Sequence, residues 1–166
     1  MLTRGGTISV EERESRALVL RPGEGRSVDL GSLRMSVKAT HDETGGAFSL
    51  LETDEAPDFA TTLHIHHDAA EAFYVLQGEY TIFVEGRQFV CSAGSFIFIP
   101  AGVPHGFRVS TTRSRKLNLY APAAMVGYFD DLSEAVKQGT VDPVHRSEIA
   151  ARHAMEVLGP VPEGHA

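Results

Sequence analysis

Between residues 26 and 121 hydrophobic and polar positions alternate in short runs. These are RSVDL (26–30), LRMSVKA (33–39), AFSLLET (47–53), TTLHIH (61–66), EAFYVLQ (71–77), EYTIFVEG (79–86), RQFV (87–90), FIFI (96–99), HGFRVSTT (105–112) and SRKLNLYA (114–121). A period of two places alternate side chains on opposite faces, so each run is predicted to be a β-strand. Turn formers separate them: Pro22 and Gly23, the loop THDETGG (40–46), a connector at 54–59 containing Pro57, Glu85-Gly86 as a tight hairpin turn, SAGS (92–95), and Pro-Ala-Gly-Val-Pro (100–104). The run at 96–99 is apolar on both faces, as expected of a strand buried between two sheets or against a helix. Roughly nine or ten strands with no crossover helix between them predict a closed or sandwiched all-β body and argue against a βαβ fold.

After Pro122 the spacing changes to three and four. Met125, Val126, Phe129, Leu132 and Val136 mark an amphipathic helix over 123–139, ended by Gly139. A second helix is predicted over 142–159, with Ile149, Ala150, His153 and Val157 on its apolar side and Gly159-Pro160 as its stop. Residues 1–121 thus form the β-body, with a charged N-terminal segment in which Ile8 and Val10 suggest a short β-arm. Residues 122–166 form a helical extension expected to cover an end of that body or to pack on a partner subunit, with a homodimer as the expected assembly.

The chain has 166 residues, 42% of them hydrophobic, which suits one domain of ordinary globular character. Fifteen basic against twenty-two acidic residues give a formal charge of −7, and RSRK at 113–116 is the sole notable basic cluster. Nucleic acid needs a concentrated positive footprint, so no nucleic-acid partner is expected. No run reaches the ~18 apolar residues of a membrane span, and the N-terminal stretch lacks a signal-like apolar core; a cytoplasmic protein is the expectation. The single cysteine, Cys91, excludes an internal disulfide and has no basic neighbours to activate it, so it is read as packing.

The candidate chemistry lies in TTLHIHHDAAEAFYVLQGE (61–79) and GSFIFIPAGVPH (94–105). On a strand Thr62, His64 and His66 share a face. If the run that follows is an adjacent antiparallel strand, Glu71, with Phe73 and Val75 on its own face, looks into the same interior. His105 follows the Pro/Gly turn and shares a face with Phe107 and Val109. A His-x-His pair alone is ordinary decoration of a strand. Three imidazoles and a carboxylate in one apolar interior are costly unless ligated, and a divalent transition metal takes those donors. Fe, Mn, Ni, Cu, Co and Zn all suit the set. Thr62, Phe73, Val75, Phe107 and Val109 are the candidate pocket walls. Phe96, Phe98, Leu117 and Leu119 join them in one register, or Ile97, Asn118 and Tyr120 in the other.

These two motifs, HIHHDAAEAFYVLQG and GSFIFIPAGVPH, resemble the paired motifs of the cupin superfamily, with Gly78, Gly94, Pro100 and Gly102 as the matching framework. Asp58 and Val109 stand where that pattern often has Gly and Asn. The resemblance implies a double-stranded β-helix, or jelly-roll, barrel with short C-terminal helices, and His64, His66, Glu71 and His105 as ligands of one metal ion. The layout looks like the bacterial single-domain quercetin 2,3-dioxygenase-like group. This implies a dioxygenase taking O2 and a flavonol-like, enolic or phenolic small molecule, with Glu71 as catalytic base. The alternatives are a non-redox metal-dependent isomerase or cyclase, and a small-molecule-binding module without turnover.

Overall fold

The computed structural model describes residues 17–163, so the suggested arm at Ile8 and Val10 lies outside the described residues. Eleven strands and three helices follow in order. They are β1 (Arg26–Asp29), β2 (Leu33–Ala39), α1 (His41–Thr44), β3 (Ser49–Glu55), β4 (Thr62–His66), β5 (Ala70–Gln77), β6 (Glu79–Val84), β7 (Arg87–Ser92), β8 (Phe96–Ile99), β9 (His105–Val109), β10 (Ser114–Ala121), α2 (Val126–Gln138), α3 (Pro143–Arg152) and β11 (Met155–Pro160). Several of the period-two runs became strands with one face to bury. In β3 and β10 buried and half-buried positions alternate without a break. Glu85 and Gly86 make the expected tight turn between β6 and β7, both with positive φ (51° and 72°), as a type I′ hairpin needs.

The strands form two antiparallel sheets, one of order β1-β2-β3-β10-β5-β8 and one of order β11-β4-β9-β6-β7. The expected jelly-roll barrel is therefore corrected: the sheets face each other and stay open. Among the described residues no ladder joins them, and β1, β8, β11 and β7 are left as edges. Side chains, not backbone pairing, hold the layers together. Phe73 and Val75 from one sheet pack with Tyr80, Ile82, Phe107 and Val109 from the other. At the opposite end Met125, Tyr128 and Leu132 pack over Val28, Met35 and Leu51, so the start of α2 closes one end of the sandwich. The guanidinium of Arg26 forks onto Asp130 at 2.6 and 3.0 Å and ties α2 to β1.

Two further expectations change. The helix predicted over 142–159 ends at Arg152, and Met155–Pro160 returns as a strand against β4. Ala154, at φ 53°, makes the break that a helix pattern alone does not reveal. The apolar run 96–99 is an edge strand rather than a sandwiched one: Phe96 and Phe98 are 67% and 60% exposed, and Ile99 alone of the four is buried. Among the described residues no helix is long and apolar enough to cross a membrane.

Candidate metal centre

His64 and His66 occupy alternate positions of β4 and both turn inward to buried sites. His64 lies directly opposite His105 in the β4–β9 pair, which brings two imidazoles 41 residues apart in sequence to a ring separation of 4.4 Å. Gly106 lets β9 sit this close, because a Cβ there would stand 2.9 Å from the Thr62 carbonyl and 2.7 Å from Val161 Cγ1. The turn before His105 is tied back by the Gly102 N–H, which donates to the His66 carbonyl at 2.8 Å. Glu71 does not come from a neighbouring strand. The chain leaves β4 and crosses to β5 in the other sheet, and Glu71 reaches the histidines from the facing layer. Its Oε2 lies 2.8 Å from His105 Nε2 and 3.2 Å from His66 Nε2. One donor atom from each of the four residues falls within 4.8 Å of all the others.

The donor set fits a divalent ion. Nδ1 of His64 donates to the Thr62 carbonyl and Nδ1 of His105 to the Val103 carbonyl, both at 2.8 Å, so each ring turns Nε2 toward the centre. Both ring nitrogens of His66 are buried without a hydrogen-bond partner, an orphaned pair that a ligated cation would partly satisfy. Burial lowers the His64 pKa to about 4, with the His105 charge adding to the effect and Glu71 opposing it. Burial alone would raise the Glu71 carboxyl. The hydrogen bond from His105 and the nearness of His66 outweigh it and hold the group well below the ordinary carboxylate range. His105 shows the reverse balance: burial pulls it down, and the Glu71 hydrogen bond and charge raise it above the usual imidazole value. With Val103 O on one side and Glu71 on the other, both His105 nitrogens face acceptors, so a proton stands where a cation would replace it.

A cavity of about 90 Å³ adjoins the cluster, room for several waters or a small organic molecule. Thr62 and Phe107 line it. Phe73, Val75 and Val109 do not: they share the inward face but lie deeper between the sheets, packed with Tyr80, Ile82 and Ile99. On β10 the second of the two registers holds, with Asn118 and Tyr120 facing the cavity, while Phe96 and Phe98 point outward. Burial and the Glu71 carboxylate hold the Tyr120 hydroxyl well above the usual phenol value, so it stays protonated. Met125, Tyr128, Phe129 and Leu132 supply an apolar wall from the start of α2.

Sequence reasoning missed Glu55 and Lys116, which are buried in the same wall as an ion pair. The signal was present in part: Lys116, Asn118 and Tyr120 share one face of an alternating strand whose other face carries Leu117 and Leu119. Glu55 falls in the stretch 54–59, which reads as a connector because Pro57 limits regular pairing.

Comparison with known proteins follows the same stretch of chain. Residues 52–117 match the family model described as a cupin domain. Quercetin 2,3-dioxygenase of Bacillus subtilis (strain 168) is 31% identical over 103 residues, which is 62% of this chain and 31% of that enzyme's length. Among solved structures, an RmlC-like cupin from Shewanella frigidimarina superposes with a TM-score of 0.56 at 21% identity, covering 63% of this chain and 89% of the other. The polyketide cyclase RemF from Streptomyces resistomycificus gives 0.55 at 22% identity over 63% and 78% of the two chains. KdgF from Halomonas sp. gives 0.53 at 19% identity over 58% and 86%. At these identities the structural likenesses speak for the fold alone.

Proposed function

The chain belongs to the cupin superfamily, and from that premise we propose that it is a metal-dependent enzyme for a small organic substrate, with His64, His66, Glu71 and His105 holding one divalent transition metal ion. The observation that carries this reading is the convergence of four buried donors from two sheets beside a cavity. The proposed chemistry is non-redox, of the isomerase or cyclase type. A bound ion supplies Lewis acidity, which lowers the cost of negative charge on a substrate oxygen.

The chain's own groups handle the proton. Glu71 is the base: its Oε1 accepts from Asn118 Nδ2 at 3.2 Å, while Oε2 faces the histidines. The protonated Tyr120 hydroxyl, whose oxygen accepts from the same amide nitrogen at 3.4 Å, is the acid that returns the proton to substrate. Met125, Tyr128 and Phe129 exclude water from above.

A second reading, a dioxygenase for a flavonol-like or other enolic or phenolic substrate, is favoured by the 31% identity to quercetin 2,3-dioxygenase. Metal-reconstituted protein assayed with an oxygen electrode against flavonols and enols separates the two. Turnover without oxygen uptake supports the isomerase or cyclase, and uptake matched to product supports the dioxygenase. Saturable binding with no product in any assay would overturn both and leave a binding module.

A further inference from the structure

The buried groups on β10 that the metal cluster does not use form a pattern of their own. Lys116 is 1% exposed and its partner Glu55 is fully buried, yet both line the cavity. The Lys116 ammonium donates to Thr53 Oγ1 at 2.9 Å and to Glu55 Oε1, and its Nζ lies 4.2 Å from the centre of the Phe107 ring. Two of its three protons have oxygen partners and the third has none. Glu55 is completed by the Tyr80 hydroxyl, which donates to Oε2 at 2.7 Å.

One alternation further along the strand, Asn118 gives both of its hydrogen bonds through Nδ2, to Glu71 and to Tyr120. Its Oδ1 is buried and has no partner. The amide cannot be flipped to cure this, because Oδ1 would then face the Glu71 carboxylate. A buried ion pair is a weak source of stability, and an orphaned amide oxygen is a cost. Both stand in one cavity wall, with Lys116 and Asn118 on the same face of β10 and Glu55 at the end of β3.

We propose that this inward edge of β10 is the substrate-recognition edge: Lys116 donates to, and Asn118 Oδ1 accepts from, a hydroxyl on the part of the substrate remote from its metal-binding oxygen. The substrate class is thus a small, largely apolar or aromatic molecule with a hydroxyl away from its metal-binding end. This rests on the metal reading of the histidine cluster.

The test uses zinc-loaded protein titrated calorimetrically with benzohydroxamate and its 2-, 3- and 4-hydroxy derivatives. All four probes share one metal-binding head, so the ratio of their affinities cancels any change at the metal. At least one hydroxylated probe should bind about tenfold more tightly than the parent compound. That ratio should fall to near one in Asn118→Leu and in the double variant Lys116→Met with Glu55→Gln. The double variant removes both charges together while leaving an acceptor for Tyr80, so it is expected to keep the fold, which thermal melting checks. No advantage for any hydroxylated probe, or an advantage that survives in both variants, overturns the proposal. A ratio retained in metal-stripped protein would support the recognition edge while sinking the metal reading on which it is built.

Discussion

His66 is the most exacting test among the ligands, because it has no hydrogen bond to fall back on. His66→Ala should weaken metal affinity by more than about 100-fold, beyond the ~10–100-fold that loss of an outer-sphere partner costs. Elemental analysis after reconstitution measures it, and a metal content equal to the parent's would remove His66 from the ligand set. Cys91 tests the opposite kind of residue. Burial pushes its thiol above the ordinary value and no cation stands by to reverse this. Only the thiolate reacts, so at pH 8 the folded protein should react with a disulfide reagent at least about tenfold more slowly than the urea-unfolded chain. Equal rates would show an exposed or activated thiol. The four cluster residues were legible in the sequence because a His-x-His on a strand, a carboxylate five residues on and a histidine after a Pro/Gly turn are local patterns. Glu55 and Lys116 were not: the two pair across 61 residues, and neither run marks its charged residue as buried.

The elements were legible wherever one face was apolar and the other polar, and failed where pairing across the fold decides the outcome. The segment 155–160 shows why. Its residues continue a helical spacing, but β4 offers an unpaired edge, and the ladder Met155↔His66 to Pro160↔Thr62 satisfies that backbone as well as its own. The same holds for 96–99, whose apolar character on both faces pointed inward although β8 is an outer edge. Gly78, between β5 and β6, shows a turn whose identity is fixed by what lies against it. Its φ is +77°, and a Cβ would stand 2.1 Å from Ser114 Oγ, a fully buried side chain at the start of β10. Gly78→Ala should destabilise by about 2 kcal/mol, combining positive φ with a contact that the buried serine cannot yield. For a chain of this size that is roughly a 4–8 °C fall in Tm by calorimetry. A variant melting within 1–2 °C of the parent, roughly the shift of half a kcal/mol, would mean that the β5–β6 corner is free to move.

For the whole molecule, the placement of Glu71 matters more than its proximity in sequence to His66. His64, His66 and His105 all belong to the sheet of β4 and β9, and Glu71 belongs to the other sheet. Since among the described residues no backbone ladder joins the two layers, a cation held by all four residues would be a clamp across the sandwich as well as a reaction centre. Binding to the folded state alone stabilises by about 2.7 kcal/mol at a free metal concentration a hundred times Kd. Metal removal should therefore lower Tm by roughly 5–10 °C. Glu71→Gln separates a clamp from a site confined to one sheet. With three histidines intact on one layer, the variant should still take up metal, but more than about tenfold more weakly, so at the same free metal concentration the gain in Tm should shrink by more than half. A gain as large as the parent's at the same free metal concentration would mean that the histidine sheet binds the ion by itself and that Glu71 serves the chemistry without bridging the fold.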